Sequence, residues 1–181
     1  TGGLDVTGSQ GVPLLEVENL TTLYPVRRGL ADRVARQPRL WVHAVDGVSF
    51  TLGRGEMLAL VGESGCGKTT TAQTILGMVA PASGTVRLNG TDIAGLPERQ
   101  MRPLRRQLQM IYQDPYESLD LRFRVETAVG EPLLVHGIGG KPAERRELIV
   151  AALERAGLSP AEAFLARYPH ELSGGQRQRV A

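Results

Sequence analysis

The chain has 181 residues, of which 41% are hydrophobic and 22% are charged, and its formal net charge is +2. These are ordinary globular values, and the length suffices for a domain with a real core. No apolar run approaches the roughly 20 residues that span a bilayer, and no signal peptide is visible. We therefore expect a soluble protein whose membrane connection, if any, comes through a partner.

The first fifty residues predict a polar entry followed by two strands. Residues 1–13 are rich in glycine and polar side chains and predict a linker or disordered entry. Residues 14–23 and 41–52 are predicted strands, with a possible turn at Asp46-Gly47. Between them lies a basic insert, for which a flexible surface loop, lipid headgroups and a membrane partner all stay open. Its arginines are Arg27, Arg28, Arg33, Arg36 and Arg39.

A glycine-rich sequence then fits the pattern G-x-x-x-x-G-K-[ST] between residues 62 and 69. Residues 56–61 before it form an apolar run that predicts a buried parallel strand. Residues 70–79 after it predict a helix that buries one face and stops before Pro81. The residues predicted on that face are Ala72, Ile75, Leu76 and Val79.

The residue types of this loop suit a phosphate ligand. Glycines allow the backbone angles and the close approach that aim several N–H groups at one anion. The helix that follows adds the positive end of its dipole. Lys68 can reach the β- and γ-phosphates, and the Thr69 hydroxyl suits a Mg²⁺ ligand. The predicted phosphate-binding residues are Gly62, Glu63, Ser64, Gly65, Cys66, Gly67, Lys68, Thr69 and Thr70.

Cys66 is the only cysteine of the chain. A single cysteine excludes an internal disulfide, which fits a reducing compartment. We expect it to fill space in the loop rather than to act as a redox-sensitive thiol.

Further strands and a helical segment follow the loop. Residues 84–88 predict a strand that ends in an Asn89-Gly90 turn, and residues 108–112 predict a second one. Four arginines near residues 99–106 indicate a solvated helix face, with few aromatics to stack on bases, so no nucleic-acid partner is expected. Residues 117–172 predict a helical lobe, including a helix that starts at Pro142 and ends before Gly157. Its predicted buried face is Ile149, Ala152, Leu153 and Ala156.

A second glycine-rich motif, Leu-Ser-Gly-Gly-Gln, stands at residues 172–176. Ser173 and Gln176 have the spacing of a capping box at a helix start, which is a purely structural interpretation. The glycines also leave the helix N-terminus bare enough for a phosphate to approach. Both interpretations stay open on the residues alone.

With both motifs in order, the chain resembles the nucleotide-binding domain of ABC transporters, whose signature is Leu-Ser-Gly-Gly-Gln. The resemblance runs from about Leu14 to Ala181 and is closest to the oligopeptide/dipeptide importer subfamily. Residues 62–70, 112–119 and 168–172 resemble that group, as does the basic insert ahead of residues 44–50. One departure is Asp120-Leu121-Arg122, where the family pattern leads us to expect asparagine and proline before the arginine.

The resemblance implies a fold and a set of roles. The fold is α/β, a P-loop NTPase-type core with an N-terminal antiparallel β subdomain and an inserted α-helical subdomain, divided at residues 14–116 and 117–181. Tyr24 would stack on adenine. Lys68 and Gln113 would be catalytic, and Gln113 would join Thr69 at Mg²⁺. A second ATPase domain would supply Ser173, Gly174, Gly175 and Gln176 to the ATP held by the first domain.

The resemblance also implies partners, a location and a limit. The partners are integral-membrane permease subunits, a second ATPase domain that is separate or fused in tandem, and indirectly an extracytoplasmic solute-binding protein. The location is the cytoplasmic face of the cell membrane, where the permease subunits hold this domain. The Asp-Glu strand and switch histidine that follow the family signature are not in the sequence. We therefore expect a truncated piece of a longer ATPase that by itself hydrolyses ATP poorly or not at all.

Two other classes share part of the pattern. A P-loop ATPase of chromosome maintenance or DNA repair has a similar signature, but a long coiled coil separates its motifs, and the stretch from Lys68 to Leu172 leaves no room for one. A non-catalytic nucleotide-dependent binding module is the second alternative. The residues that follow the signature helix would distinguish such a module from an ATPase, because a strand that ends in Asp-Glu there indicates an ATPase.

Overall fold

A computed structural model describes residues 12–26, 38–112, 114 and 118–181. The chain divides into two compact units, Thr1–Gln109 and Met110–Ala181. Together they contain an antiparallel sheet and short helices, as the predicted α/β class requires. The predicted domain bounds after residues 13 and 116 stay predictions.

Four strands and two helices form the described part of the first unit, and four α-helices and a 3₁₀ turn that of the second. In chain order the first unit has β1 Leu15–Pro25, β2 Trp41–Leu52, α1 Lys68–Ile75, β3 Ser83–Leu88, β4 Thr91–Asp92 and α2 Glu98–Leu104. The second unit has α3 Val125–Val135, α4 Pro142–Arg155, α5 Glu162–Leu165, the 3₁₀ turn Pro169–Glu171 and α6 Gly174–Val180.

The sheet of the first unit has the order β2-β1-β3-β4, and all its neighbours are antiparallel. Leu15 of β1 lies opposite Leu52 on one side and Leu88 on the other. Alternate residues of β1 are buried because one face of the sheet packs on the core. That core consists of Leu15, Val17, Leu20, Ile75, Val86, Leu88, Ile93 and Met101.

The ladder between β1 and β2 is interrupted by three register shifts, the features that depart most from a regular hairpin. β1 carries an extra residue near Asn19 (φ 48°), and β2 carries one near Gly47 (φ 65°). Side-chain hydroxyls accept from the amides that leave the ladder: Asn19 N donates to Ser49 Oγ (2.8 Å), and Gly47 N donates to Thr21 Oγ1 (3.2 Å). The predicted turn at Asp46-Gly47 is thus wrong, because Gly47 forms a β-bulge inside β2.

The two apolar segments predicted as further strands are not strands in the structure. Residues 56–61 and 108–112 carry no strand assignment. Met57 and Val61 are 96% and 93% exposed, and Ile111 is exposed as well. A strand exists only through its hydrogen-bonded neighbours, and no described segment pairs with either run. The prediction of a buried parallel strand at residues 56–61 is therefore wrong for the described structure.

The turn and the first helix follow their local signals more closely. Asn89 and Gly90 both have positive φ and join β3 to β4, as an Asn-Gly hairpin turn requires. α1 ends at Ile75, four residues before the predicted end. Ile75 and Leu76 of the predicted face are buried, whereas Ala72 and Val79 are half-buried. Thr71 and Thr74, which were not predicted, are buried beside them.

The second unit is helical, as predicted. α4 has Pro142 in its first turn, and Gly157 with φ 76° follows its end. Ile149 and Leu153 are buried as expected, but Ala152 is exposed, which corrects that part of the predicted face. The core of this unit consists of Val125, Ile149, Leu153, Leu158, Ala161, Phe164, Leu165 and Leu172.

Among the described residues, every helix is too short or too polar to cross a bilayer. Outside the described residues lie residues 1–11 of the linker that was predicted at residues 1–13, and four of the five insert arginines (Arg27, Arg28, Arg33 and Arg36).

Candidate functional site

The glycine-rich loop at residues 62–67 leads directly into α1. Gly65 has φ 84° and Gly67 has φ 94°, which are left-handed values that side chains disfavour. Cys66 N donates to Glu63 O at 3.3 Å and closes the turn between them. The sequence thus places glycine at the positions where the backbone reverses.

Gly67 also lies where a side chain could not fit. A Cβ built on it would collide with the main-chain carbonyl of Ala44 in β2, and Val45 lies beside it. Ala44 is the extra β2 residue at the register shift between Thr22 and Leu23. The irregular hairpin therefore fixes the start of α1 by backbone-to-backbone contact.

The N-terminus of α1 has no side-chain cap. Gly67 is the N-cap residue and carries no side chain, and Thr71 N donates to Gly67 O at 2.8 Å as the first helical bond. The amides of the first turn and the dipole therefore stay available to a ligand from outside the helix. An anion is the ligand that this geometry favours.

Lys68 stands at the first position of α1 and reaches back over the loop. Its Nζ donates to Gly62 O and Glu63 O, both at 2.7 Å. The ammonium is thus held at the mouth of the loop by two carbonyl oxygens, near the uncapped amides. A cation in that place adds to the attraction for phosphate oxygens.

Thr69 is the only predicted magnesium ligand whose position the structure gives, since Gln113 lies outside the described residues. Its side chain is on the exposed side of the first turn of α1. The described residues contain no cluster of three or more His, Cys, Asp or Glu side chains that would hold a metal by themselves. A hydroxyl with phosphate oxygens and water is nevertheless a normal ligand set for Mg²⁺, so Thr69 fits that ion.

Cys66 packs against the start of the loop. A Cβ at Gly62 would lie 2.6 Å from Cys66 Sγ, so Gly62 makes room for the thiol. Cys66 Sγ also accepts from Lys68 Nζ at 3.5 Å. Cys66 is a free, exposed thiol, and its space-filling role stays a prediction.

A buried pair of threonines connects α1 to the sheet, and sequence reasoning missed it. Thr22 Oγ1 and Thr74 Oγ1 are 3.0 Å apart, and both residues are buried. Thr74 Oγ1 donates to Thr70 O at 2.7 Å, so the Thr22 hydroxyl is the donor between the two side chains. The only sequence signal was a threonine at an inward position of β1 and another on the inward face of α1.

Tyr24, the predicted adenine-stacking residue, lies near the end of β1. It pairs with Val42 of β2, two residues from the Ala44 carbonyl that contacts the loop. The side chain is partly exposed. Tyr24 is therefore on the same hairpin that positions the phosphate loop, while its contact with a base stays a prediction.

The second motif starts α6 in the other unit. Ser173 is the N-cap: its Oγ accepts from Gln176 N (3.3 Å), and Gln176 Oε1 accepts from Ser173 N (2.9 Å). The capping-box interpretation of the sequence is thus confirmed. Gly174 and Gly175 are exposed and have no atom within 4 Å of a built Cβ. The helix start is therefore open to solvent, as the phosphate interpretation also requires.

Arg177 and Glu171 hold the segment before α6, and neither was singled out from the sequence. Arg177 Nη1 donates to Leu172 O (2.8 Å) and to Pro169 O (3.4 Å). Glu171 Oε2 accepts from Tyr168 N at 2.7 Å. These bonds fix the backbone that leads to Ser173. Their sequence signal is weak because they join side chains to main-chain groups, which carry no residue identity.

The departure at residues 120–122 is a local ion pair. The Asp120 carboxylate accepts three hydrogen bonds from Arg122: from Nη2 (2.6 Å), from Nε (3.0 Å) and from the Arg122 backbone N (2.9 Å). The Arg122 guanidinium, and then its backbone N–H, lower the pKa of Asp120 from 3.8 to about 2. The arginine thereby supplies the bonds that order this turn.

Comparisons with known proteins agree with these observations. Residues 45–181 match the family described as ABC transporter. The chain is 48% identical over 172 residues to the glutathione import ATP-binding protein GsiA of Salmonella typhimurium, and 49% identical over 171 residues to GsiA of Escherichia coli K12. Each match covers 94% of this chain and 26% of the relative, so the chain spans about a quarter of those proteins.

Solved structures show the same fold. The chain matches the ATP-binding cassette MJ0796, whose dimeric structure bound to ADP and Pi is of a post-hydrolysis state, with a TM-score of 0.73 and 26% identity. The match covers 92% of this chain and 66% of that one. It also matches cbiO1 of Clostridium perfringens, part of the complex cbiONQ, with a TM-score of 0.67 and 26% identity. The predicted P-loop ATPase fold class is thereby confirmed.

Proposed function

The chain belongs to the ABC transporter family, and we propose that it is the ATP-binding part of an importer for peptide-like solutes. The observation that carries the proposal is the uncapped start of α1 behind a glycine loop, with the Lys68 ammonium held beside it. Backbone amides, helix dipole and cation all favour the same ligand, a polyphosphate.

ATP would lie with its phosphates in the loop of residues 62–68 and its base toward Tyr24. Lys68 would exchange its bonds with the Gly62 and Glu63 carbonyls for bonds to phosphate oxygens. Each charge-assisted bond contributes about 1.5–3 kcal/mol, so several together give useful affinity. Thr69 would hold Mg²⁺, which neutralises phosphate charge, and Gln113 is proposed as its second protein ligand.

The open start of α6 suggests how the second motif is used. We propose that Ser173, Gly174, Gly175 and Gln176 of one domain contact the phosphates of an ATP bound to another domain. The solved relative MJ0796 is described as dimeric, which supports such a pairing. Ser173 Oγ accepts the cap bond from Gln176 N, and its O–H proton, together with the exposed glycine amides, can donate to a phosphate.

The reaction would be attack of water on the γ-phosphate, with catalysis by positioning and by charge. Hydrolysis would drive solute movement through permease subunits, with this domain at the cytoplasmic face of the membrane. Peptide-like solutes follow from the relatives named for glutathione import. An extracytoplasmic solute-binding protein would deliver the solute to the permease.

The test compares the two lysines of the chain in the intact protein. Lys68→Ala removes the ammonium beside the loop, and Lys141→Ala removes an exposed lysine before α4 as the matched control. Equilibrium dialysis with MgATP measures binding. We expect Lys68→Ala to weaken binding by about tenfold or more and Lys141→Ala to leave it unchanged. No uptake of MgATP by the parent protein, or equal affinity in Lys68→Ala, contradicts the proposal.

A further inference from the structure

The outer end of the β1–β2 hairpin carries apolar side chains that nothing in the described structure covers. Val26 N donates to Leu40 O at 2.9 Å, and Pro25 pairs with Trp41, so the two strands stay paired to this point. Leu40 is 67% exposed and Trp41 is 46% exposed. Further down the same strand Val45 is buried. The exposure is therefore confined to the tip of the hairpin.

These side chains lie on both faces of the hairpin. Leu40 and Val42 alternate with Trp41 along β2, and no register shift interrupts the pairing between residues 24–25 and 41–42. Successive residues of a strand point to opposite faces, so Leu40 and Val42 share one face and Trp41 points to the other. A groove on a protein partner would cover only one face of the strand pair, whereas lipids can contact both faces.

The charge beside these residues is positive. Arg39 is exposed directly before Leu40. The sequence between the two strands contains four more arginines and one acidic residue, Asp32. Among the described residues of β2 near the tip, the first acidic side chain is Asp46, which lies farther along the strand than Val42. Its Oδ1 is 3.6 Å from His43 Nδ1. Arginine next to an exposed tryptophan is typical of segments that meet anionic membrane surfaces.

We propose that the hairpin tip formed by Val26, Arg39, Leu40, Trp41 and Val42 contacts an anionic lipid surface. Leu40, Trp41 and Val42 enter the headgroup region, and Arg39 pairs with lipid phosphate. The contact is shallow, because β1 pairs with β3 only as far as Thr21 and its outer edge beyond that point needs water for its backbone groups. This interaction is separate from ATP binding and from the docking of a permease.

Trp41 is the only tryptophan of the chain and reports on its own surroundings. The intact protein is titrated with phosphatidylcholine vesicles, with and without phosphatidylglycerol, while tryptophan emission and vesicle flotation are recorded. Trp41→Phe identifies the part of the emission that comes from this residue. We expect a blue shift and flotation with the anionic vesicles only. Both weaken as salt is raised, because salt screens the arginine attraction.

Two substitutions test the surface itself. Arg39→Glu reverses the charge, and Leu40→Glu places a carboxylate where an apolar side chain would enter the headgroups. Each is expected to weaken partition into anionic vesicles about tenfold or more. Leu134→Glu is the matched control, since Leu134 is 61% exposed in α3 of the other unit, and it is expected to bind like the parent. Circular dichroism and MgATP binding confirm that the variants are folded.

Three outcomes overturn the proposal. The first is no change of Trp41 emission with anionic vesicles, even if the protein floats through another region. The second is a shift that persists in both Arg39→Glu and Leu40→Glu. The third is a Trp41 response to MgATP but not to vesicles, which would assign this surface to the nucleotide.

Discussion

Gly67 is the point at which the glycine loop, α1 and β2 meet. Its positive φ and the Ala44 carbonyl against its Cα each exclude a side chain, and they do so for different reasons. The first reason is local and depends on the turn. The second depends on the position of β2 and therefore on the fold.

Substitution of Gly67 separates these two effects. Gly95→Ala is the control, because Gly95 also has positive φ (67°) but no atom lies within 4 Å of its built Cβ. We expect Gly95→Ala to lower the free energy of unfolding by about 1 kcal/mol. Gly67→Ala should cost about 1–3 kcal/mol more, because a backbone contact must move. Urea denaturation measures both. Equal losses would mean that the Ala44 contact does not constrain the loop.

The Asp120–Arg122 pair gives a dependence on pH. The pKa of Asp120 is lowered from 3.8 to about 2, chiefly by the Arg122 side chain. A lowered carboxyl pKa stabilises the fold above the unfolded value, and that stabilisation is lost as the pH falls from near 4 through about 2. NMR titration of the Asp120 carboxyl carbon measures the midpoint. Arg122→Ala should move it toward 3.8, whereas Arg122→Lys should keep part of the shift; an unchanged midpoint in Arg122→Ala contradicts the pair.

The sequence predicts the residues of the candidate site better than it predicts the contacts that position them. Lysine, glycine and threonine at fixed spacing indicate a phosphate loop because each type has one physical use there. The Ala44 carbonyl at Gly67 and the Thr22–Thr74 bond were not predictable from the pattern. Both depend on the register between β1 and β2, which three irregularities determine.

At the scale of elements, α1 is joined to β1 by the buried Thr22–Thr74 hydrogen bond. Thr22→Val keeps the shape and removes the donor, while Thr74 Oγ1 keeps its bond to Thr70 O. We expect a loss of about 1 kcal/mol in the free energy of unfolding, the usual net value of such a bond. Thr51→Val, an exposed change on β2, is the control and should stay within about 0.5 kcal/mol. Equal effects in thermal or urea unfolding contradict a role for the pair.

Most elements were predicted, including the strands at residues 14–23, 41–52 and 84–88 that form β1, β2 and β3. The apolar runs at residues 56–61 and 108–112, which have no described partner strand, were predicted wrongly. Asn89-Gly90 fixes a hairpin turn by itself, and Pro142 with Gly157 marks both ends of α4. Residues 56–61 have the composition of a buried strand, yet Met57 and Val61 are exposed because no described strand pairs with them. Composition describes what a segment can bury, whereas its partners decide whether it does.

The described residues form two separate hydrophobic cores, one in each unit. Leu153→Ala removes a buried side chain from the core of the second unit and should cost about 2–5 kcal/mol. Hydrogen exchange should then rise in α3 and α4 but not in β1 and β3, because the cores share no residue. Ala152→Ser, an exposed change on the same helix, is the control. Uniform loss of protection in both units would show that they unfold together.

The irregular ladder between β1 and β2 also bears on which lengths of chain this hairpin can accept. A regular ladder transmits any inserted or deleted residue along the strand and exchanges its two faces. Here the surplus residues near Asn19, Gly47 and Ala44 are already taken up as bulges. The contact between the Ala44 carbonyl and Gly67 can thus be kept while the tip of the hairpin is longer or shorter in relatives. Variation in this family would accordingly collect beyond Tyr24 and before Val42.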